Sequence, residues 1–197
     1  MVAQEQDLSQ GIPAERSAEA TANRSVLVVA LLAVAATAGL LDQLSKWIAG
    51  EVLAAGRPVE LIPGLLDLRL TDNPHGAFGL FAGFPAGLRL PILLALAVLA
   101  MTAITVYAIR TLGWTRSVSI SLGLVLGGAL ANQIDRITRG AVVDFIHLHW
   151  ADRFEWPTFN LADVAITAGS VLLALTVIRL WINKIRNDNE EDLEGTR

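Results

Sequence analysis

Two aspartates stand beside apolar sequence long enough to enter a bilayer: Asp144 in Val142-Val143-Asp144-Phe145, and Asp163 in Phe159-Asn160-Leu161-Ala162-Asp163. Ionisable groups at the edge of a hydrophobic slab are costly, so they persist where they do chemistry, carry charge or pair. Two carboxylates brought together can share one proton, so that one serves as base and the other as acid. Asp42 and Lys46, four residues apart, meet on one helix face. Asn73, Asn132, Asp135, Arg136 and Asn160 complete the polar groups found at the ends of apolar runs.

Other chemistries find less support. The chain has no cysteine, which excludes disulfides, thiolate metal sites and cysteine nucleophiles. Ser45 and Lys46 are adjacent, so on a helix they point about 100° apart and form no serine–lysine dyad. His147 and His149 point to the same side of a strand, which is half a metal site. The only other histidine is His75, and neither His-Glu-x-x-His nor a glycine-rich phosphate loop occurs. The expectation is therefore no metal and no cofactor.

The elements that must position these groups follow from composition. Of 197 residues, 53% are hydrophobic and 17% charged, where a soluble domain carries about a quarter charged residues. The mean hydropathy is +0.52. These values indicate an integral membrane protein. A net charge of -4 argues against a nucleic-acid partner.

Four apolar runs are long enough to cross a bilayer. They are Val26 to Leu41 with its continuation to Ala49, Leu90 to Ile109, Ser117 to Ile134, and Val164 to Ile178 extended through Leu180-Trp181-Ile182. Ala36-Thr37-Ala38 resembles a signal cleavage site, but the acidic leader before it is unlike a short basic n-region, so the run reads as a retained span. Residues 1–24 read as a disordered tail, 25–186 as a four-helix transmembrane domain, and 187–197 as an acidic tail. The flanks of spans two to four carry Arg110, Arg116, Arg179, Lys184 and Arg186, which places both termini in the cytoplasm.

The outer loops show a different period. Leu66, Leu68 and Leu70 alternate with polar residues, as do Ile146, Leu148 and Trp150, the two-residue repeat of a half-buried strand. The expected fold is mainly α: four transmembrane helices, with a small extracytoplasmic β-sheet formed by the two outer loops. In span three, Gly123 and Gly127 lie four apart; this either lets helix backbones approach or reflects the abundance of glycine in membrane helices.

With this topology every unusual polar group falls on one face of the membrane. Taken singly, each has a structural reading: Asp163 or Asn132 as a helix cap, Asp42 with Lys46 as an ion pair, Asp135 with Arg136 as interface charges. Their convergence favours a site. The residues alone do not select Asp144 and Asp163 over Asp42 and Asp135.

Five segments in order resemble the lipoprotein signal peptidases (signal peptidase II), membrane aspartic proteases of bacteria. They are Asp42-Gln43-Leu44-Ser45-Lys46, Asn73 through Phe78, Gly127 through Arg136, Val142 through Phe145, and Phe159 through Asp163. The resemblance spans roughly residues 26–182. It implies that Asp144 and Asp163 are the catalytic pair, and that Asp42, Lys46, Asn73, Asn132, Arg136 and Asn160 shape or line the site. It implies substrates that are prolipoproteins with a diacylglyceryl-modified lipobox cysteine, cut just before that cysteine. The enzyme it implies acts as a monomer among the lipids of the bacterial inner membrane, with its site at the extracytoplasmic face.

Two departures fall near the site. His75 stands where the family usually has glycine, and Ala131 replaces the glycine that commonly precedes Asn132. Two rivals are an ion or proton carrier and a non-catalytic scaffold. A carrier would place polar residues along the depth of several spans, and the interiors of spans two and four carry none that ionise. A scaffold would be indifferent to Asp-to-Asn changes.

Overall fold

The computed structural model describes residues 5–53, 56–76, 80–150 and 154–195. Helix α1 runs Glu5–Leu53, α2 Ala86–Leu112, α3 Arg116–Arg139 and α4 Leu161–Gly195; strands β1 Val59–Ile62 and β2 Leu66–Asn73 precede α2, and β3 Val142–Trp150 and β4 Phe154–Glu155 precede α4. Each helix contains a segment long and apolar enough to cross a membrane: Thr21–Leu53, Gly87–Leu112, Arg116–Arg139 and Leu161–Asn183. All four expected spans are present, and the chain is a multi-pass membrane protein.

The flanking segments differ from the sequence reading. Backbone of residues 5–24 is helical and continuous with α1, and that of 187–195 with α4. Helix propagation adds one hydrogen bond per residue fixed, so a nucleated span extends into polar flanks.

Helix α3 lies at the centre of the bundle, packed between α1 and α4, with α2 against its side. Glycine permits this. A Cβ on Gly123 would stand 2.8 Å from the Leu31 carbonyl oxygen, and one on Gly127 would collide with the Ala35 backbone, both on α1. Gly128 meets the Ala162 carbonyl of α4 in the same way. The glycine spacing in span three is therefore a packing surface. Large apolar side chains on the outside of α1, α2 and α4, among them Leu40, Leu99, Leu175 and Trp181, remain exposed, as lipid-facing residues are.

Helix ends are set by local chemistry. Thr115 caps α3, its Oγ1 accepting from the Val118 N–H, and Gly140 ends it at φ 79° while donating to the Arg136 carbonyl. The tight turn at Gly140 sends the chain straight into β3.

The sheet is antiparallel, in the order β1-β2-β3-β4. Its centre is the β2–β3 pair expected from the alternating leucines, in which Leu66 faces Leu148, Asp67 faces His147 and Leu68 faces Ile146. The register slips between Leu68 and Thr71, after which Thr71 pairs with Asp144 and Asn73 with Val142. The short β1 and β4 were not anticipated; neither has enough residues to display a period. The sheet rests on the end of α1, where Phe145, Leu68 and Ile146 pack on Ala49 and Leu53.

Candidate active site

The sheet, the ends of α1 and α3 and the start of α4 meet at one end of the bundle. Asp42 and Lys46 come from α1, Asn132, Asp135 and Arg136 from α3, Asn73 from the end of β2, Asp144 from β3, and Asn160 and Asp163 from the entrance to α4.

The base of the cluster is ionic. Lys46 Nζ lies 2.7 Å from Asp42 Oδ2 and 2.7 Å from Asp135 Oδ2, with all three side chains fully buried. Its third proton goes to Asn132 Oδ1 at 3.1 Å. A buried ammonium has no water to turn to, so three acceptors are what it requires. Asp135 also accepts from Gln43 Nε2 at 3.0 Å and from the Val143 N–H at 3.3 Å, which ties α1 and α3 to β3. The Asp42–Lys46 pair is thus present, extended by Asp135. Asp135 pairs with Lys46 rather than Arg136.

Above this base the asparagines bridge the two aspartates. Lys46 can only donate, so Asn132 turns its oxygen toward it, and Asn132 Nδ2 donates to Asp163 Oδ1 at 2.9 Å. Asn160 Nδ2 donates to Asp144 Oδ1 at 2.7 Å and also approaches Asn132 Oδ1 at 3.2 Å. Asn73 Nδ2 holds the other Asp144 oxygen, Oδ2, at 3.1 Å.

The start of α4 is a reciprocal cap. The Asp163 N–H donates to Asn160 Oδ1 at 3.0 Å, and the Asn160 N–H donates to Asp163 Oδ2 at 3.2 Å. Asp42 Oδ1 accepts from the Ala162 N–H at 2.7 Å, so a carboxylate of α1 satisfies a further free donor of this helix end. The cap read from the sequence is real, with Asn160 as its first residue.

The carboxylates differ in surroundings. Asp144 is 2% exposed. Burial pushes its pKa up to about 6; the Asp163 charge adds to the rise, while hydrogen bonds from Asn73 and Asn160 and the Lys46 charge oppose it. Asp163 is only partly buried. Arg136 lies within electrostatic range of Asp163, Asp144 and Asp135, yet its buried Nε has no hydrogen-bond partner.

All eight residues singled out from the sequence therefore stand in one cluster. Asp135 and Gln43 belong to it as well; Asp135 was one of the converging polar groups in the sequence but not one of the eight. Its position three residues after Asn132, on the same helix face, was the available signal. Positive φ near His75 falls on Gly76 at 76°, and the His75 N–H donates to Asn73 Oδ1 at 3.2 Å; the neighbouring Ala77 and Phe78 lie outside the described residues. A separate group of metal-ligand type, Asp67, His147 and His149, lies on the sheet.

The architecture is a four-helix membrane bundle capped by a small sheet, with two differently buried carboxylates at one end. Two solved structures share it, both described as a bacterial membrane enzyme studied by the in meso method. One, at 2.3 Å, aligns with a TM-score of 0.66 and 26% identity over 78% of this chain and 90% of its own. The other, at 1.9 Å, gives 0.63 and 27% over 75% and 91%. The family model described as signal peptidase (SPase) II matches residues 34–179, and the chain belongs to that family. Proteins named lipoprotein signal peptidase are similar along most of their length. That of Aquifex aeolicus is 42% identical over 144 residues, 73% of this chain and 83% of the relative. That of Symbiobacterium thermophilum is 35% identical over 152 residues, 77% and 93% respectively.

Proposed function

We propose that this chain is an aspartic endopeptidase that removes the signal peptide from prolipoproteins, cutting immediately before the diacylglyceryl-modified lipobox cysteine. The observation that carries the reading is the convergence of Asp144 and Asp163, which are linked through Asn160 and Asn132 at one end of the bundle.

The surrounding charges favour a shared proton. Asp42, Asp135, Asp144 and Asp163 are four carboxylates against two cations, Lys46 and Arg136. Lys46 is already fully engaged with Asp42 and Asp135. The excess negative charge is relieved when the dyad holds one proton, and Asp144, the more deeply buried member, is its preferred seat. Asp163 accepts hydrogen bonds from the Asn132 amide and the Asn160 N–H at a helix N-terminus, and is assigned the role of base.

In the reaction, Asp163 takes a proton from water as it attacks the carbonyl carbon before the cysteine. Asp144 hydrogen-bonds the carbonyl oxygen, and a proton then passes to the leaving amine. Arg136, with an unsatisfied Nε, supplies donors for substrate carbonyls. Asn73 and Asn160 hold Asp144 in register. Asp42, Lys46 and Asn132 act as positioning residues beneath the site, since Asp42 and Lys46 have no exposed surface.

The acyl chains stay in lipid between helices. An open apolar groove of about 350 Å³ between α2 and α3, lined by Val98, Met101, Val106, Leu126 and Leu130, reaches toward the site end of α3. The active end faces away from the cytoplasm in the bacterial inner membrane, both termini are cytoplasmic, and the chain acts as a monomer.

The test is the gel mobility of a diacylglyceryl-modified precursor incubated in detergent with wild type, Asp144→Asn and Asp163→Asn. Wild type should convert the precursor, and each variant should lose about 10³-fold or more of the rate. Substantial cleavage by both variants would sink the assignment.

A further inference from the structure

The sheet carries a second cluster that the proposed reaction does not use. Asp67 on β2 stands directly opposite His147 on β3, so their side chains leave the sheet on the same side. His149 lies two residues further along β3 and shares that side. The imidazoles stack with centroids 5.0 Å apart and 9° between their planes. Asp67 Oδ1 is 2.6 Å from His147 Nδ1 and 4.0 Å from His149 Nε2. One ligand-type atom from each of the three lies within 4.8 Å of the others.

Burial separates this group from an ordinary surface cluster. His147 is 2% exposed, and among the described residues its ring is tied only through Nδ1, to Asp67, with Nε2 unpartnered. Asp67 and His149 keep 16% and 20% of their side-chain surface, which leaves a way in for an ion. Two imidazoles stacked beside one carboxylate gain little from packing, whereas two nitrogens and an oxygen converging is the donor set of zinc-type ions.

We propose that Asp67, His147 and His149 form a binding site for a divalent transition-metal ion of the zinc class, with water completing the coordination. Tetrahedral bonds of about 2.0–2.1 Å put ligand atoms roughly 3.3 Å apart. The Asp67–His147 contact then opens by roughly 0.7 Å, and His149 closes on Asp67 by about as much. Side-chain torsions supply such shifts. The ion cross-links β2 to β3 just beyond the slip in their register between Leu68 and Thr71. Those two strands carry Asn73 and Asp144, so the site acts as a clip on the part of the sheet that holds the dyad.

The experiment uses the full chain without a histidine tag, in detergent, stripped by a chelator and titrated with Co²⁺ and then Zn²⁺. Wild type should bind one equivalent of Co²⁺ with the visible absorption of a tetrahedral site, displaced by Zn²⁺. His149→Gln and Asp67→Asn, both at partly exposed positions, should weaken binding about 100-fold or more, since even outer-shell partners of a metal cost 10–100-fold. His75→Gln, outside the cluster, should bind as wild type does. Absence of saturable Co²⁺ and Zn²⁺ binding in wild type would overturn the proposal. So would binding unchanged in well-folded His149→Gln and Asp67→Asn.

Discussion

At the scale of single residues, the decisive asymmetry is between Asp144 and Asp163. Burial raises the Asp144 pKa to about 6 from an ordinary 3.8, so the folded protein binds this proton more tightly than the unfolded chain does. The linked stability is fully present below pH 3.8 and is lost as pH rises through about 6. The melting temperature of Asp144→Asn minus that of wild type should therefore become more positive between pH 4 and pH 7.5. A difference independent of pH in detergent melts would show that Asp144 is not the raised member. Because the proposed acid must carry its proton, kcat/KM should also fall as pH rises past about 6 in the free enzyme. Lys46 makes a second prediction. Its removal takes from the buried Asp42 and Asp135 their shared ion-pair partner, so Lys46→Met should destabilise the fold by about 3–5 kcal/mol. Thermal melts of the purified protein would measure this, and cleavage should fall with it because Asn132 loses a partner.

At the scale of elements, the site depends on how closely three helices approach. Gly128 is a point of close approach between α3 and α4, where a Cβ would stand 2.5 Å from the Ala162 carbonyl. The N–H of Ala162 is held by Asp42, and Asp163 follows it, so displacement here moves a carboxylate of the proposed dyad. Gly128→Val should cost at least 1–3 kcal/mol, roughly the range for overpacking, and should reduce cleavage even in the fraction that remains folded. Gly50 is the contrasting case: it lies inside α1 with nothing within 4 Å of an added Cβ. Gly50→Ala should leave cleavage intact and raise stability by about 0.5–1 kcal/mol. Equal melting shifts for the two would contradict the packing described here.

At the scale of the whole molecule, orientation is the open property of the proposal, and the absence of native cysteine makes it easy to test. An impermeant maleimide applied to intact cells should label Arg57→Cys beside the sheet, and should not label Thr111→Cys at the opposite end of the bundle. The reverse pattern would place the active end in the cytoplasm.

Much of this protein was legible in its sequence. Lipid spans need about twenty apolar residues each, so four helices could be counted directly, and a period of two marked the central strands. The clustering of polar groups at one end followed from that count alone. The pairing of Asp144 with Asp163 was supplied by family resemblance, because a linear string does not show which carboxylates meet. Only tertiary structure could give Lys46 its second carboxylate from α3, hang Asp144 on two asparagines from β2 and the α4 cap, and leave Arg136 Nε without a hydrogen-bond partner among the described residues. It also set Asp67 beside His147 and His149, which supplies the three side chains of the proposed metal site. The physical reason is common to all of these. Solvation and backbone hydrogen bonding act over a few residues and leave a periodic trace in the sequence, whereas a buried charge takes its partners from whatever distant segments packing brings within 3 Å, roughly one hydrogen-bond length.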